Sequence, residues 1–176
     1  QGQKTGWFYD QADNRGRLRR YVPGLRVLDA CCYLGGWGVS AAVWGAQRAL
    51  CLDASASALE GVAENARLNG CEERVETLKG DAFERLKELG GQGERFDLIA
   101  LDPPAFIKRR KDLEQGVEAY GRLNRLALQL LEPGGVLVTS SCSFHLPREQ
   151  FLRTVQKAAR RNGQTLQLLE SGQQSA

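Results

Sequence analysis

The sequence predicts an α/β fold, a doubly wound and mostly parallel sheet forming one domain. Three observations carry this. Short apolar runs of strand length alternate with segments of helical period along the whole chain. The runs are almost uninterrupted by polar residues, as expected of strands covered on both faces. The first four are each closed by an aspartate, Asp29, Asp53, Asp81 and Asp102. Right-handed crossovers then leave the doubly wound sheet as the main solution, with ligands bound outside the carboxyl ends of its strands. One or two acids in such places are ordinary helix caps; four in succession point to one site.

The elements follow in order. Val27 to Ala30 is the first strand, and a small-residue helix runs from Trp37 to Gly45. Ala49 to Leu52 is the second strand. Ser55 or Ser57 caps the next helix, whose apolar positions Ala58, Leu59, Val62, Ala63 and Ala66 keep the 3.6-residue period until Asn69-Gly70 closes it. Val75 to Leu78 is the third strand, followed by Gly80-Asp81 and a helix over Ala82 to Leu89. Phe96 to Leu101 is the fourth, stopped by Asp102-Pro103-Pro104. A long helix from Leu113 to Leu131 ends at Glu132-Pro133-Gly134-Gly135, and Val136 to Ser140 is the fifth strand. A helix over Arg148 to Arg161 and a sixth strand over Thr165 to Leu169 complete the series. Residues 1–26 form a basic N-terminal segment of the same domain, and residues 27–176 its ligand-binding body.

A chain of 176 residues buries enough surface to fold without a staple, and 42% hydrophobic with 26% charged residues sits near the globular average, which argues against wholesale disorder, collagen and disulfide scaffolds. It carries no run long enough to span a bilayer and no signal-peptide pattern. The five cysteines lack C-x-x-C spacing and the one histidine, His145, stands alone, so no metal site is expected and free thiols in the cytoplasm are. The net charge of +3 conceals three basic clusters: Arg15 to Arg20, Lys108 to Lys111, and Arg148 to Arg161. Most such clusters are solvated faces, but three on one small domain also suit a polyanion. The absence of an initiator Met at Gln1, and of any Met, suggests a processed or truncated piece.

The loop after the first strand is Asp29-Ala30-Cys31-Cys32-Tyr33-Leu34-Gly35-Gly36-Trp37-Gly38. It is not the G-x-G-x-x-G of dinucleotide sites. An acid at the end of the first strand suits a cationic ligand such as the sulfonium of S-adenosylmethionine. Asp53 is placed for a ribose diol and Asp81 for an adenine amino group.

With these motifs the sequence resembles the class I S-adenosylmethionine-dependent methyltransferases, whose Rossmann-like fold the element order matches without its last strand. Cys31 and Tyr33 stand where that superfamily's D-x-G-x-G-x-G loop has its first two glycines; Gly35 keeps the third. The form D-x-x-x-Y-x-G-G followed by Phe or Trp is closer to methyltransferases of ribosomal RNA. The nearest resemblance is to the 23S ribosomal RNA 5-methylcytosine methyltransferases that carry a PUA domain. It rests on Lys4-Thr5-Gly6-Trp7-Phe8-Tyr9-Asp10-Gln11 with Asn14-Arg15, on Asp102-Pro103-Pro104-Ala105-Phe106, and on Ser141-Cys142-Ser143. Cys31 and Leu34 depart from that family's usual Phe and Thr.

The resemblance implies S-adenosylmethionine as cofactor and S-adenosylhomocysteine as product. The expected cofactor contacts are Gln11; Asp29, Ala30, Cys31, Tyr33, Gly35 and Gly36; Asp53, Ala54 and Ser55; Asp81, Ala82 and Phe83; and Asp102 with Pro103. Cys142 is implied as the nucleophile that adds to carbon 6 of cytosine, with Asp102 at the ring nitrogen. Phe106, Lys108, Arg109 and Arg15 are expected to meet 23S ribosomal RNA, Phe106 by stacking on the base. Three readings stay open: a cytosine methyltransferase, a methyltransferase acting on a guanine nitrogen, and a non-catalytic cofactor-binding RNA module. A chain lacking the PUA domain and the last strand is expected to bind cofactor but to act weakly on RNA. Its open sheet edge offers pairing with a second copy as a homodimer.

Overall fold

The structure is a computed structural model that describes residues 11–173. The Lys4–Asp10 part of the first motif lies outside these residues. The chain enters through a short helix, α1 (Ala12–Arg17), and a 3-10 turn (Leu18–Arg20) that the apolar pattern did not predict. Leu18 and Val22 are buried in the core, so this basic stretch is built into the domain. Then come β1 (Arg26–Ala30), α2 (Gly38–Val43), β2 (Arg48–Asp53), α3 (Ala56–Leu68), β3 (Val75–Lys79), α4 (Ala82–Gly91), β4 (Phe96–Leu101), α5 (Leu113–Leu130), β5 (Leu131–Thr139) and α6 (Arg148–Arg161).

The five strands are parallel in the order β3-β2-β1-β4-β5. The order reverses between β1 and β4, which opens a crevice at their carboxyl ends. Alternation along the strands builds one core on each face. Val27, Ala49, Cys51, Leu98 and Ala100 meet α2 and α3 through Trp37, Val39, Leu59 and Val62. Leu28, Ala30, Leu52, Ile99 and Leu101 meet α4, α5 and α6 through Leu86, Leu123, Ala127 and Ala158. Helices on both faces are what the near-continuous apolar strands demand.

Two expectations change. β5 begins at Leu131, which pairs with Phe96; the ladder breaks and resumes at Leu98 with Val136, so Glu132 to Gly135 form an irregularity within the strand. The sixth strand is not formed. Residues 164–173 are non-regular: Leu166 packs on the α5–α6 face, the Gln164 amide donates to the Leu128 carbonyl, and Leu168 and Leu169 are exposed. A strand exists only with a ladder partner, and this segment has none among the described residues. It crosses instead to the start of the chain, where Glu170 accepts from the Tyr21 hydroxyl at 2.6 Å and pairs with Arg20, while the Asn14 amide donates to the Gln173 carbonyl at 3.0 Å.

Candidate active site

Asp29, the penultimate residue of β1, is wholly buried. Its Oδ2 accepts the Gly38 N–H at 2.8 Å, tying the strand to the first turn of α2; Oδ1 has no partner among the described residues. Burial pushes its carboxyl up to about 7, opposed by the Gly38 hydrogen bond and reinforced by Asp102 and Asp53. The approach requires glycine at 38, since a Cβ there would run into Cys51 Sγ and stand 3.2 Å from Asp29 Cβ.

Between these anchors the loop is tightly coiled. Cys31, Tyr33 and Gly35 have φ of 63°, 50° and 79°. These are the three positions of the superfamily's glycines, so the backbone keeps a left-handed conformation even where two side chains have replaced hydrogen. Each non-glycine there costs on the order of 1–3 kcal/mol, a strain that persists only where neighbours hold it. Asp53 supplies part of the hold: its Oδ2 accepts the Tyr33 N–H and its Oδ1 the Ser55 N–H, both at 2.9 Å. The Leu34 carbonyl accepts from the Asn65 amide at 2.9 Å.

Asp81 caps α4, its Oδ1 accepting the N–H groups of Phe83 and Glu84 at 2.9 and 3.2 Å. Asp102 directly follows β4 and is gripped from two sides. The Trp37 indole donates to Oδ2 at 3.1 Å and the Ser140 hydroxyl donates to Oδ1. The half-buried Cys31 thiol, in the loop after β1, lies within the field of all four aspartates. Burial raises its pKa to about 12, with Asp53, Asp29, Asp102 and Asp81 adding to the effect in that order.

Cys142 follows β5, and of the five cysteines it is the exposed one. Its Sγ lies 3.7 Å from the Pro103 carbonyl, within the turn that carries Asp102. The next residue is turned inward. The buried Ser143 Oγ accepts the Ile107 N–H at 3.1 Å and shares a 2.9 Å hydrogen bond with the buried Tyr120 hydroxyl. This clasp fastens the loop after β5 to the loop after β4. It also needs a bare position on α5, because a Cβ at Gly116 would collide with Ile107.

The structure thus brings together Asp29, Ala30, Cys31, Tyr33, Gly35, Gly36, Asp53, Ala54, Ser55, Asp81, Ala82, Phe83, Asp102, Pro103 and Cys142 at one end of the sheet. Others stand differently. Phe106 is half-buried, with its ring 4.7 Å from Tyr120 and 6.0 Å from Phe83, so it packs between α5 and α4. Arg15 is buried on α1. Gln11 accepts from the Asn14 amide at 2.8 Å beside α1. Lys108 and Arg109 are exposed, Arg109 pairing with Asp112 at 3.2 Å. Trp37, Ser140 and Tyr120 were not predicted as site residues; the one local signal was an aromatic after Gly35-Gly36.

With this geometry in place, comparison with known proteins is informative. The family described as Conserved hypothetical protein 95 matches residues 15–169. The chain belongs to that family. Among curated relatives, "Ribosomal RNA large subunit methyltransferase I" of Klebsiella pneumoniae (strain 342) is 39% identical over 176 residues, covering 99% of this chain and 44% of the relative. The protein of the same name from Aeromonas hydrophila is 41% identical over 170 residues, covering 96% and 43%. The chain therefore spans less than half the length of the curated relatives it matches. Among solved structures, a SAM-dependent methyltransferase from Streptococcus mutans superposes with a TM-score of 0.79 at 24% identity, over 90% of this chain and 41% of that one. NSun6 from Pyrococcus horikoshii, solved with SFG, gives 0.69 at 22% identity, over 92% and 41%. At such identities the likeness is one of fold, and the family's sheet here is the Rossmann-like methyltransferase sheet.

Proposed function

We propose that this chain is the core of an S-adenosylmethionine-dependent methyltransferase acting on carbon 5 of a cytosine in large-subunit ribosomal RNA. The observation that carries the reading is the pairing of two loops: the exposed Cys142 on one is clasped against the Asp102 turn of the other. The names of the 39–41% identical relatives support the RNA class.

The residues fit the cofactor. Asp29 keeps an unpartnered buried oxygen beside the loop, which suits a cationic neighbour. Asp53 has used one lone pair on each oxygen, leaving acceptor capacity for a ribose diol. Ala82 and Phe83, in the first turn of α4, are the apolar surface for adenine beside Asp81. When bound, the cofactor supplies an electrophilic methyl group.

The chain's own groups do the rest. The Cys142 thiolate adds to carbon 6 of cytosine, forming a C–S bond and shifting the ring's electron pair so that carbon 5 becomes nucleophilic. Asp102, oriented by Trp37 and Ser140, acts here in its protonated form and donates to the ring nitrogen, where negative charge develops. After methyl transfer a base takes the proton from carbon 5, the double bond re-forms and the thiolate leaves. Lys108 and Arg109 hold the RNA backbone at the rim.

The test is mass mapping of methylated ribosomal RNA with wild type and Cys142→Ala. RNA carrying 5-fluorocytosine should also trap wild type covalently, since fluorine cannot be removed as a proton. Loss of methylation and of the adduct in Cys142→Ala, with cofactor binding intact, is expected. Full methylation by Cys142→Ala would overturn the cytosine mechanism in favour of transfer to a base nitrogen.

A further inference from the structure

The side chain next to the Ser143 clasp has no place in the chemistry above. Phe144 is 94% exposed, the most exposed large apolar side chain among the described residues. The exposure is enforced. Ser143 and Leu146 are both buried, and the Leu146 N–H donates to the Ser143 carbonyl at 3.0 Å, closing a tight turn. Phe144 and His145 are its central residues; with both ends pinned into the core, the Phe144 ring faces water while His145 is half-buried. His145 meets the Phe144 ring edge-on at 5.4 Å, giving the apex a composite aromatic surface.

The setting of this ring identifies its occupant. Ser143 bonds the N–H of Ile107, and the next residue on that side is Lys108, the first of four consecutive exposed cations. Arg148, also exposed, begins α6 just beyond the turn. One hydrogen bond therefore joins the segment that carries the aromatic apex to the segment that carries the basic run, and Cys142 lies two residues before Phe144. Cations that track phosphates and an aromatic that accepts a base face are the two components of single-stranded nucleic acid sites. An apolar partner surface would not call for the cations.

We propose that Phe144, backed by His145, is a stacking platform for an unpaired nucleobase of the RNA strand flanking the target nucleotide, and so helps to select single-stranded over duplex substrate. This rests on the RNA reading above, though not on Cys142 chemistry.

The test measures anisotropy of a labelled single-stranded RNA 12-mer and of a hairpin with equal phosphate count, for wild type, Phe144→Ala, Phe144→Leu and Phe144→Trp. Thermal melting serves as a fold control. Ala and Leu should each weaken single-strand binding by roughly 5- to 100-fold, from the typical worth of one base–aromatic stack. They should leave hairpin affinity and the melting temperature nearly unchanged. Trp should restore affinity, and its added fluorescence should be quenched by the single strand. Wild-type affinity in Phe144→Leu overturns the proposal, because an apolar contact would then suffice. So does an unchanged RNA affinity with an altered melting temperature or sedimentation coefficient, which would assign the ring to a protein contact. Methylation by Cys142→Ala is read in parallel. Its persistence would sink the cytosine mechanism and leave the platform standing, whereas its loss alongside RNA-indifferent Phe144 variants would sink the platform alone.

Discussion

Trp37 and Asp102 are joined by an indole N–H donated to Oδ2 at 3.1 Å, across 65 positions of sequence. The bond ties the loop after β1 to the turn after β4, so the two sides of the crevice share one carboxylate orientation. Trp37→Phe keeps an aromatic in the core and removes the donor. It should destabilise the fold by about 1 kcal/mol and lower methyl transfer roughly tenfold. Melting and single-turnover transfer, measured together, check this; an unchanged rate would mean that Ser140 alone orients Asp102.

The Ser143–Tyr120–Ile107 clasp should act on Cys142 without touching substrate. Ser143→Ala strands a buried N–H and a buried hydroxyl and is expected to cost about 1–3 kcal/mol; Tyr120→Phe, which leaves the Ile107 bond in place, should cost less. Both should change the rate at which iodoacetamide alkylates Cys142, the exposed thiol, while the buried thiols stay protected. Identical alkylation in all three proteins would show that the clasp does not position the loop.

Asp29 should give a characteristic pH signature. Its carboxyl is held at about 7 in the fold against 3.8 when free, so the unfolded chain ionises first. Its contribution to stability is therefore complete below about pH 4 and is lost as pH rises towards 7, by roughly 4 kcal/mol at most. Asp29→Asn can still accept the Gly38 N–H. Its melting temperature should gain on wild type between pH 4 and 7 and run parallel above that. A constant difference across the range would show that Asp29 does not titrate in this window.

The left-handed backbone at Cys31 makes a clean stereochemical forecast. Cys31→Gly should be tolerated, with relief of strain offsetting lost burial and chain entropy to within about 1 kcal/mol. Cys31→Val, β-branched at φ of 63°, should be destabilised by more than 2 kcal/mol, as roughly expected for a bulky residue in that region. Urea melts of the two variants decide it; equal stability would mean the loop relaxes freely.

Local rules made the body of the fold legible. The first four strands predicted from apolar runs and the helix over Arg148 to Arg161 stand where expected, and Ser55 rather than Ser57 caps α3 by accepting the Ala58 N–H at 3.3 Å. The four aspartates do gather at one end, because parallel strands place their carboxyl ends together. What failed was non-local. Thr165 to Leu169 has strand composition, but a strand also requires an open partner. Trp37, Ser140 and Tyr120 act through hydrogen bonds to residues at least 23 positions away, which no spacing within a motif encodes. The packing of Phe106 was equally invisible in its own motif, since its ring neighbours Tyr120 and Phe83 come from different helices.

The crossing of residues 170–173 to the start of the described chain has a topological consequence. Glu170 grips Arg20 and Tyr21, and Asn14 reaches Gln173, so the fold is nearly a closed ring. Ends that meet can be joined, and new ends opened at an exposed turn such as the one around Gly93, with the sheet order unaltered. A module fused before α1 and one fused after residue 173 would therefore leave the described fold close to one another.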